Sequence, residues 1–464
     1  MARMNARPGF SREPPPPPAV LLALALLVCA SSLLAGARPD EVHRLGEDLT
    51  PVGAERKGNT DGSIPSWTGG ITAPPLPYQA GDHHPDPFAG EPALFRIDRG
   101  NLDDHRASLG AGQVAMIEKY PDYYFDVYPS HRSAAYPQRI YEMTAQNART
   151  GALAEGGDGV LEVAEGLPFP FPDSAEELMW NHRLRYKGIG SERHVNMVAP
   201  TASGAFTEVV MTVKTLNPYY RPGATLESID NRLLFYLQET TAPAWLTGSI
   251  LLVHETLNQA LQPRDAWVYN PGQRRVIRAP NVAYDSPSAA TDGLHVNDMV
   301  DMFNGSLDRY NWESLGKREM YVPYNAYRVH QSDVDYRDLT MNGHLDPAWL
   351  RYERHRVWVV EARLKDGFRH INPRRTYYLD EDSYQVLMTD HYDAGGNVWR
   401  YSEAHPINFY DVPTLWTTIE VHHDLDAARF VSYRLDPTRP VPPFNTEMNP
   451  NEFTAQALRR MGKR

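Results

Sequence analysis

From Leu233 to Leu435 the sequence is a succession of short β-type runs separated by turn signals, with no helical pattern long enough to serve as a crossover. Parallel strands need such crossovers, so this half of the chain is committed to an antiparallel sheet. Leu233 to Leu237 and Ile250 to Val253 are apolar on both faces, as central strands covered on both sides are. Ala266 to Tyr269 and Arg274 to Arg278 flank Asn270-Pro-Gly-Gln273, a hairpin turn in which Pro presets φ and Gly supplies a positive one. Thr376 to Leu379, Gln385 to Thr389 and Asn397 to Tyr401 read as a three-strand meander, turning at Asp380 to Ser383 and at Asp393 to Gly396. Leu415, Ile419, Val421 and Leu425 share one face of a run whose other face carries Glu420, His422 and Asp424, the pattern of a half-buried strand. Trp358, Val360, Ala362 and Leu364 share a face in the same way. The reading gives roughly ten to twelve strands.

The preceding half, Arg38 to about Asn231, is rich in Pro, Gly and Tyr. The chain has 39 prolines, about 8% against an average near 5%, and so many fixed loops. Short helices are expected over Leu102 to Tyr120 after the N-cap Asn101, from Pro137, and from Asp173-Ser174 with Glu176 and Glu177 in the first turn. Leu167-Pro-Phe-Pro-Phe-Pro172 excludes a helix interior. The expected organisation is a leader over 1–37 and a proline-rich half over 38–230. That half packs on a sheet over 231–445 as one unit, with a tail over 446–464. The fold class is α+β: a large curved antiparallel sheet, an unclosed β-barrel, with short helices on its concave side. Such a sheet leaves an aromatic-lined cleft, and Phe235, Tyr236, Trp267, Trp358 and Trp399 are its candidate ligand-binding residues.

Arg3, Arg7 and Arg12 precede an apolar stretch from Ala19 to Leu34 and then Ala35-Gly-Ala37, the order of a cleavable secretory signal. Sixteen residues fall short of the roughly 20 that span a bilayer, so cleavage after Ala37 and a periplasmic location are expected. Cys29, the single cysteine, lies in that stretch behind Val28, which argues against lipid attachment. The mature chain is then expected to lack disulfides, a thiol nucleophile, a Cys-based zinc site and a transmembrane segment. A net charge of −12 opposes nucleic acid and anionic membrane surfaces as partners.

Catalytic signatures are missing: no G-x-S-x-G elbow, H-E-x-x-H helix, P-loop or EF-hand loop occurs. His83-His84-Pro-Asp86 reads as a rigid loop rather than a metal site, and His422-His423-Asp424 alternates across a strand and cannot converge. Asp380, Glu381 and Asp382 occupy a hairpin turn, where solvated acids are favoured over a hydrolytic pair. Arg351, Arg354 and Arg356 around Glu353 read as an ion-paired strand start. No catalytic residue, metal or cofactor is expected.

Several segments carry a resemblance: Leu49-Thr-Pro-Val-Gly-Ala-Glu55, Asp61-Gly-Ser-Ile-Pro-Ser-Trp-Thr-Gly-Gly70 and Ala135-Tyr-Pro-Gln-Arg-Ile-Tyr141 in the first half. Ala266-Trp-Val-Tyr-Asn-Pro-Gly-Gln-Arg-Arg275, Asp301-Met-Phe-Asn-Gly305 and His355-Arg-Val-Trp-Val-Val-Glu361 follow in the second. This ordered set, from about Leu49 to Tyr433, resembles an uncharacterised family of Gram-negative envelope proteins, a domain of unknown function labelled outer-membrane lipoprotein-sorting protein. That family looks like an enlarged relative of the LolA/LolB carriers, an unclosed barrel with a helical lid over an apolar cavity. The resemblance implies periplasmic transport of a lipid, an acyl chain or another hydrophobic small molecule. It also implies partnership with a resistance-nodulation-division exporter and an outer-membrane barrel. Two other functions stand beside the carrier: a non-catalytic adaptor of a transporter complex, and a periplasmic hydrolase using carboxylates.

Overall fold

Apolar runs without crossovers become one sheet. In the computed structural model, which describes residues 38–462 apart from Pro280, Asn281 and Ala283, seventeen strands form and fifteen share that sheet. They are β1 (Phe95–Ile97), β2 (Phe125–Tyr128), β3 (Ala152–Leu153), β4 (Val160–Leu161), β5 (Gly190–Val198), β6 (Val209–Leu216), β7 (Arg232–Ala242), β8 (Ile250–Thr256) and β9 (Asp265–Asn270). The rest are β10 (Arg275–Arg278), β11 (Tyr310–Pro323), β12 (Tyr352–Leu364), β13 (Arg374–Asp380), β14 (Val386–Tyr392), β15 (Val398–Phe409), β16 (Thr414–Asp424) and β17 (Arg429–Leu435).

Two antiparallel meanders make up the sheet. One runs β11 to β17, the other β5 to β10, and β17 pairs with β5 between them. That seam is thin, with Ser432 opposite Val198, Leu435 opposite Asn196 and a register shift between. The β1–β2 hairpin adds to β12 through a parallel pairing at Tyr352 and Glu353, where β13 has not yet begun to pair. β3 and β4 form a separate hairpin. No pairing joins β10 to β11, so the sheet is large, mostly antiparallel and unclosed, as the sequence leads one to expect. β5 and β6 lie earlier in the chain than the expected start of the strands.

Both faces are covered. Val357 and Val359 of β12 join Tyr378, Met388, Tyr401, Ile419 and Val421 under the helix Ala111–Lys119, which contributes Met116 and Ile117. Val360 and Ala362, one position out of phase, join Tyr377, Leu379 and Ala404 under the helix Ala175–Arg183, through Leu178, Met179 and Trp180. The helices therefore sit on opposite faces, not on one side alone, because strands apolar on both faces need two covers. Trp358, Val360, Ala362 and Leu364 do share a face.

β16 departs from the half-buried reading in the same direction: every one of its residues is buried. Its polar face is matched rather than solvated. Arg434 meets Glu420 at 2.6 Å, Arg400 meets Asp424 at 3.0 Å, and Ser402 Oγ lies 2.9 Å from His422 Nδ1. The final segment is also more than a tail. Its helix Ala455–Met461 seats Leu458, with Phe453, against Leu237, Leu252 and Tyr269, and so covers one face of β7 to β9.

Candidate ligand cavity

Across β5 to β9, strand pairing sets residues in rows. Arg193 faces Val213, Val213 faces Gln238, Gln238 faces Leu251, and Leu251 faces Val268. Directly paired residues point to the same face, so this row and its neighbours form one wall. The opposite wall comes from Val282 and the segment 284–304, through Pro287, Ser288, Val300 and Asp301. Between them lies a cavity of about 270 Å³. That is near the lower bound of the roughly 300–1,000 Å³ of small-molecule pockets. Its aliphatic wall is Met211, Leu234, Leu251, Val253 and Val268.

Charge lines the cavity at two places, with Lys187, Arg193, Asp301 and Arg434 near the seam of the two meanders and Glu255 with Arg264 on the β8–β9 side. Lys187, Arg193, Arg264 and Arg434 line the cavity with only two carboxylates, Glu255 and Asp301. Arg264 is held by Glu255 at 2.6 Å. Asp301 receives Lys187 at 3.1 Å and Arg434 at 3.4 Å, and is also paired with Arg185. Burial would raise the Asp301 carboxyl, but Arg185, Lys187 and Arg434 together hold it well below the usual range. Burial lowers Lys187 to about 8, against the pull of Asp301. Burial, and then the like charge of Arg434, lowers Arg193 to about 10. Trp416 carries both guanidiniums, with Arg193 at 4.5 Å and Arg434 at 5.0 Å from its ring centre. Tyr236 and Tyr433 both donate to Gln238 Oε1, at 2.7 Å and 3.3 Å.

Of the five aromatics expected to line a cleft, Tyr236 lines this cavity. Phe235, one residue away, points to the other face and packs on His254 and Phe453, and Trp267 meets the same His254 edge-on. Trp358 belongs to the core under the helix 175–183, with Lys317 over its ring at 4.8 Å. Trp399 sits under Arg400 at 4.1 Å. The period of two explains the split: a one-residue step turns a side chain away from the cavity. Arg193 and Arg434 escape a reading of local pattern, because a charge in a strand looks like a solvated face until pairing shows both faces covered, and Lys187 and Asp301 escape it because they lie in loops that only the fold brings to the cavity.

The acidic hairpin also differs from expectation. Asp380, Glu381 and Asp382 are buried, not solvated. Arg132 clamps Asp382 with two hydrogen bonds, 2.8 and 2.6 Å, and Lys317 pairs with Glu381. Tyr324 and Ser383 donate to Asp380 Oδ2, and burial with the neighbouring Asp382 pushes Asp380 up to about 6. His355, Asp380 and Asp382 place donor atoms within 4.8 Å of one another, the one metal-sized group among the described residues. The Arg132 fork occupies both Asp382 oxygens, so the group serves as an ion-paired tie that fastens the segment 55–66 through Arg132.

The strand start around Glu353 is ion-paired, as expected. Arg351 pairs with Glu353 at 2.6 Å, and Arg354 with Asp61 at 2.8 Å and Glu319 at 3.0 Å. His84 binds Asp411 at 2.8 Å and His330 at 3.4 Å. His422 and His423 face opposite sides, toward His295 and toward Tyr401. No helix among the described residues is long and apolar enough to cross a membrane. The export signal expected over 1–37 lies outside the described residues.

Comparison with known proteins places these features in a family context. A family model described as a protein of unknown function, DUF1329, matches residues 96–459. The uncharacterized protein PA3922 of Pseudomonas aeruginosa is 41% identical over 446 residues, which is 95% of this chain and 97% of that one. Among solved structures, a Vibrio parahaemolyticus domain named for outer membrane lipoprotein sorting superposes with a TM-score of 0.43 at 16% identity, over 61% of this chain and 97% of its own. A DUF1329 family protein of Desulfovibrio piger gives 0.43 at 14% identity, over 62% and 100%. A LolA superfamily protein of Nitrosomonas europaea gives 0.37 at 14% identity, over 61% and 98%.

Proposed function

The chain belongs to the DUF1329 family, and from that premise we propose that it is a non-catalytic carrier that holds a hydrophobic ligand in the cavity between β5 to β9 and the segment 284–304. The observation that carries this reading is the aliphatic wall of that cavity, Met211, Leu234, Leu251, Val253 and Val268. An unfilled apolar hollow forfeits packing, and its natural complement is an apolar molecule of matching size. An adaptor whose interior is filled by its own side chains fits this hollow poorly. The two carboxylates in it are engaged in ion pairs, Glu255 with Arg264 and Asp301 with Arg185, Lys187 and Arg434, which leaves a hydrolase no free acid there among the described residues. The export signature of the leader supports placing the carrier in the periplasm. Its loading and delivery partners would then be a resistance-nodulation-division exporter and an outer-membrane barrel.

Native mass spectrometry of the protein purified from its own periplasm, followed by solvent extraction, tests the reading. A stoichiometric apolar molecule is the expected result. Leu251→Trp, which fills the middle of the wall, should abolish uptake of a neutral naphthylamine fluorophore and leave the thermal midpoint near that of the parent. An empty protein that takes up no fluorophore would sink the carrier.

A further inference from the structure

Arg193 is the one cavity cation without a carboxylate in ion-pair range among the described residues, although it is only 5% exposed. Its Nε is buried with no hydrogen-bond partner, and its nearest compensation is the face of Trp416. The other three cations are engaged: Arg264 by Glu255, Lys187 by Asp301, and Arg434 by Glu420 and Asp301. A desolvated guanidinium beside a second one is among the costliest arrangements an interior can hold, and an arriving anion relieves it. A wholly apolar ligand would leave it as it is.

The row that begins at Arg193 is graded along its length. It passes through Val213 and Gln238 and ends on Leu251 and Val268, four strand spacings away. At about 4.8 Å each, that is roughly 19 Å, polar at the seam of the sheet and aliphatic at its far end. Resting on the carrier reading, we propose that the ligand is a single-chain amphiphile with an acidic head, carboxylate or phosphate. The head takes the place of the missing counter-ion at Arg193, and the chain lies along the row toward Leu251 and Val268. Arg193 supplies a planar fork suited to two oxygens at once, and Gln238 offers a further polar contact midway.

The test displaces the neutral naphthylamine fluorophore from the full chain with dodecanoate, dodecyl phosphate, dodecanol, dodecylammonium, acetate and inorganic phosphate. The expected result is displacement by dodecanoate or dodecyl phosphate at concentrations at least tenfold below those of dodecanol and dodecylammonium, with acetate and inorganic phosphate inert. Arg193→Gln should remove that preference and leave dodecanol unchanged, and Arg193→Lys should restore part of it. Equal displacement by all four twelve-carbon probes would overturn the acidic head and leave the carrier standing. Displacement by acetate or inorganic phosphate as strong as by their long-chain forms would overturn the amphiphile in favour of a free-anion site. If the fluorophore never binds, the carrier itself fails. Should Arg193→Gln not fold, the probe comparison on the parent protein still decides.

Discussion

Single residues carry much of this protein's pH response. Burial holds His182 at about 3 and His295 at about 4, so both are neutral when folded. In the unfolded chain they take up a proton near pH 6.5. Their stabilisation is therefore complete above that pH and is lost as the pH falls from about 6.5 toward 4, by about 3 kcal/mol at most for His295. Asp390 works in the opposite sense. Burial pushes it up to about 6 despite hydrogen bonds from Tyr378 and from the amides of Gly112 and Ala111. Its contribution is present below its unfolded pKa and is lost as the pH rises through 6. Urea unfolding between pH 7 and 4.5 should show a shallower acid loss in His295→Asn and a steeper one in Asp390→Asn than in the parent. Arg132→Ala makes a second residue-scale prediction. It strands the Asp382 carboxylate in the interior and should cost about 3–5 kcal/mol, read from the same unfolding curves at pH 7.

At the scale of elements, the helix Ala111–Lys119 is seated by its second residue. A Cβ on Gly112 would stand 2.2 Å from Tyr401 Cδ2 and 2.6 Å from Asp390 Oδ1, so the helix start meets β15 with no room to spare. Gly112→Ala should cost about 1–3 kcal/mol through overpacking, and a thermal-melt comparison checks it. Elements are also where the sequence is most and least legible. The runs of β12 to β17 and the turn after Asn270 announce themselves, because period and turn chemistry are local. β5 is hidden, since Glu192, Arg193, His194 and Asn196 break its apolar run with charges that only the cover on both faces explains. The acidic turn at Asp380 to Asp382 follows local rules in shape and breaks them in burial, because its cover comes from residues far off in the chain, Tyr324 and Lys317 and, about 250 and more positions away, Arg132 and Glu55. The cavity is half legible: Tyr236 is in it and Phe235 is not, and no local signal fixes that phase.

Taken as a whole, the molecule depends on its last residues to finish a face of the sheet. Without the helix Ala455–Met461, Leu237, Leu252 and Tyr269 would open to water beside Phe235 and Trp267. A chain ending at Asn445 should lose soluble yield and bind more of a surface-hydrophobicity dye than the full chain does. The thin seam between β17 and β5 has a consequence in time. The chain is built from its beginning, so β5 stands with an open edge until β17 exists, roughly 230 residues later. Trp416, Tyr433 and Arg434, which close the polar end of the cavity, arrive with that same late strand and its neighbour. A nascent chain thus carries Arg193 and the aliphatic wall of its hollow long before Trp416, Tyr433 and Arg434 arrive, so the hollow is enclosed only late in synthesis.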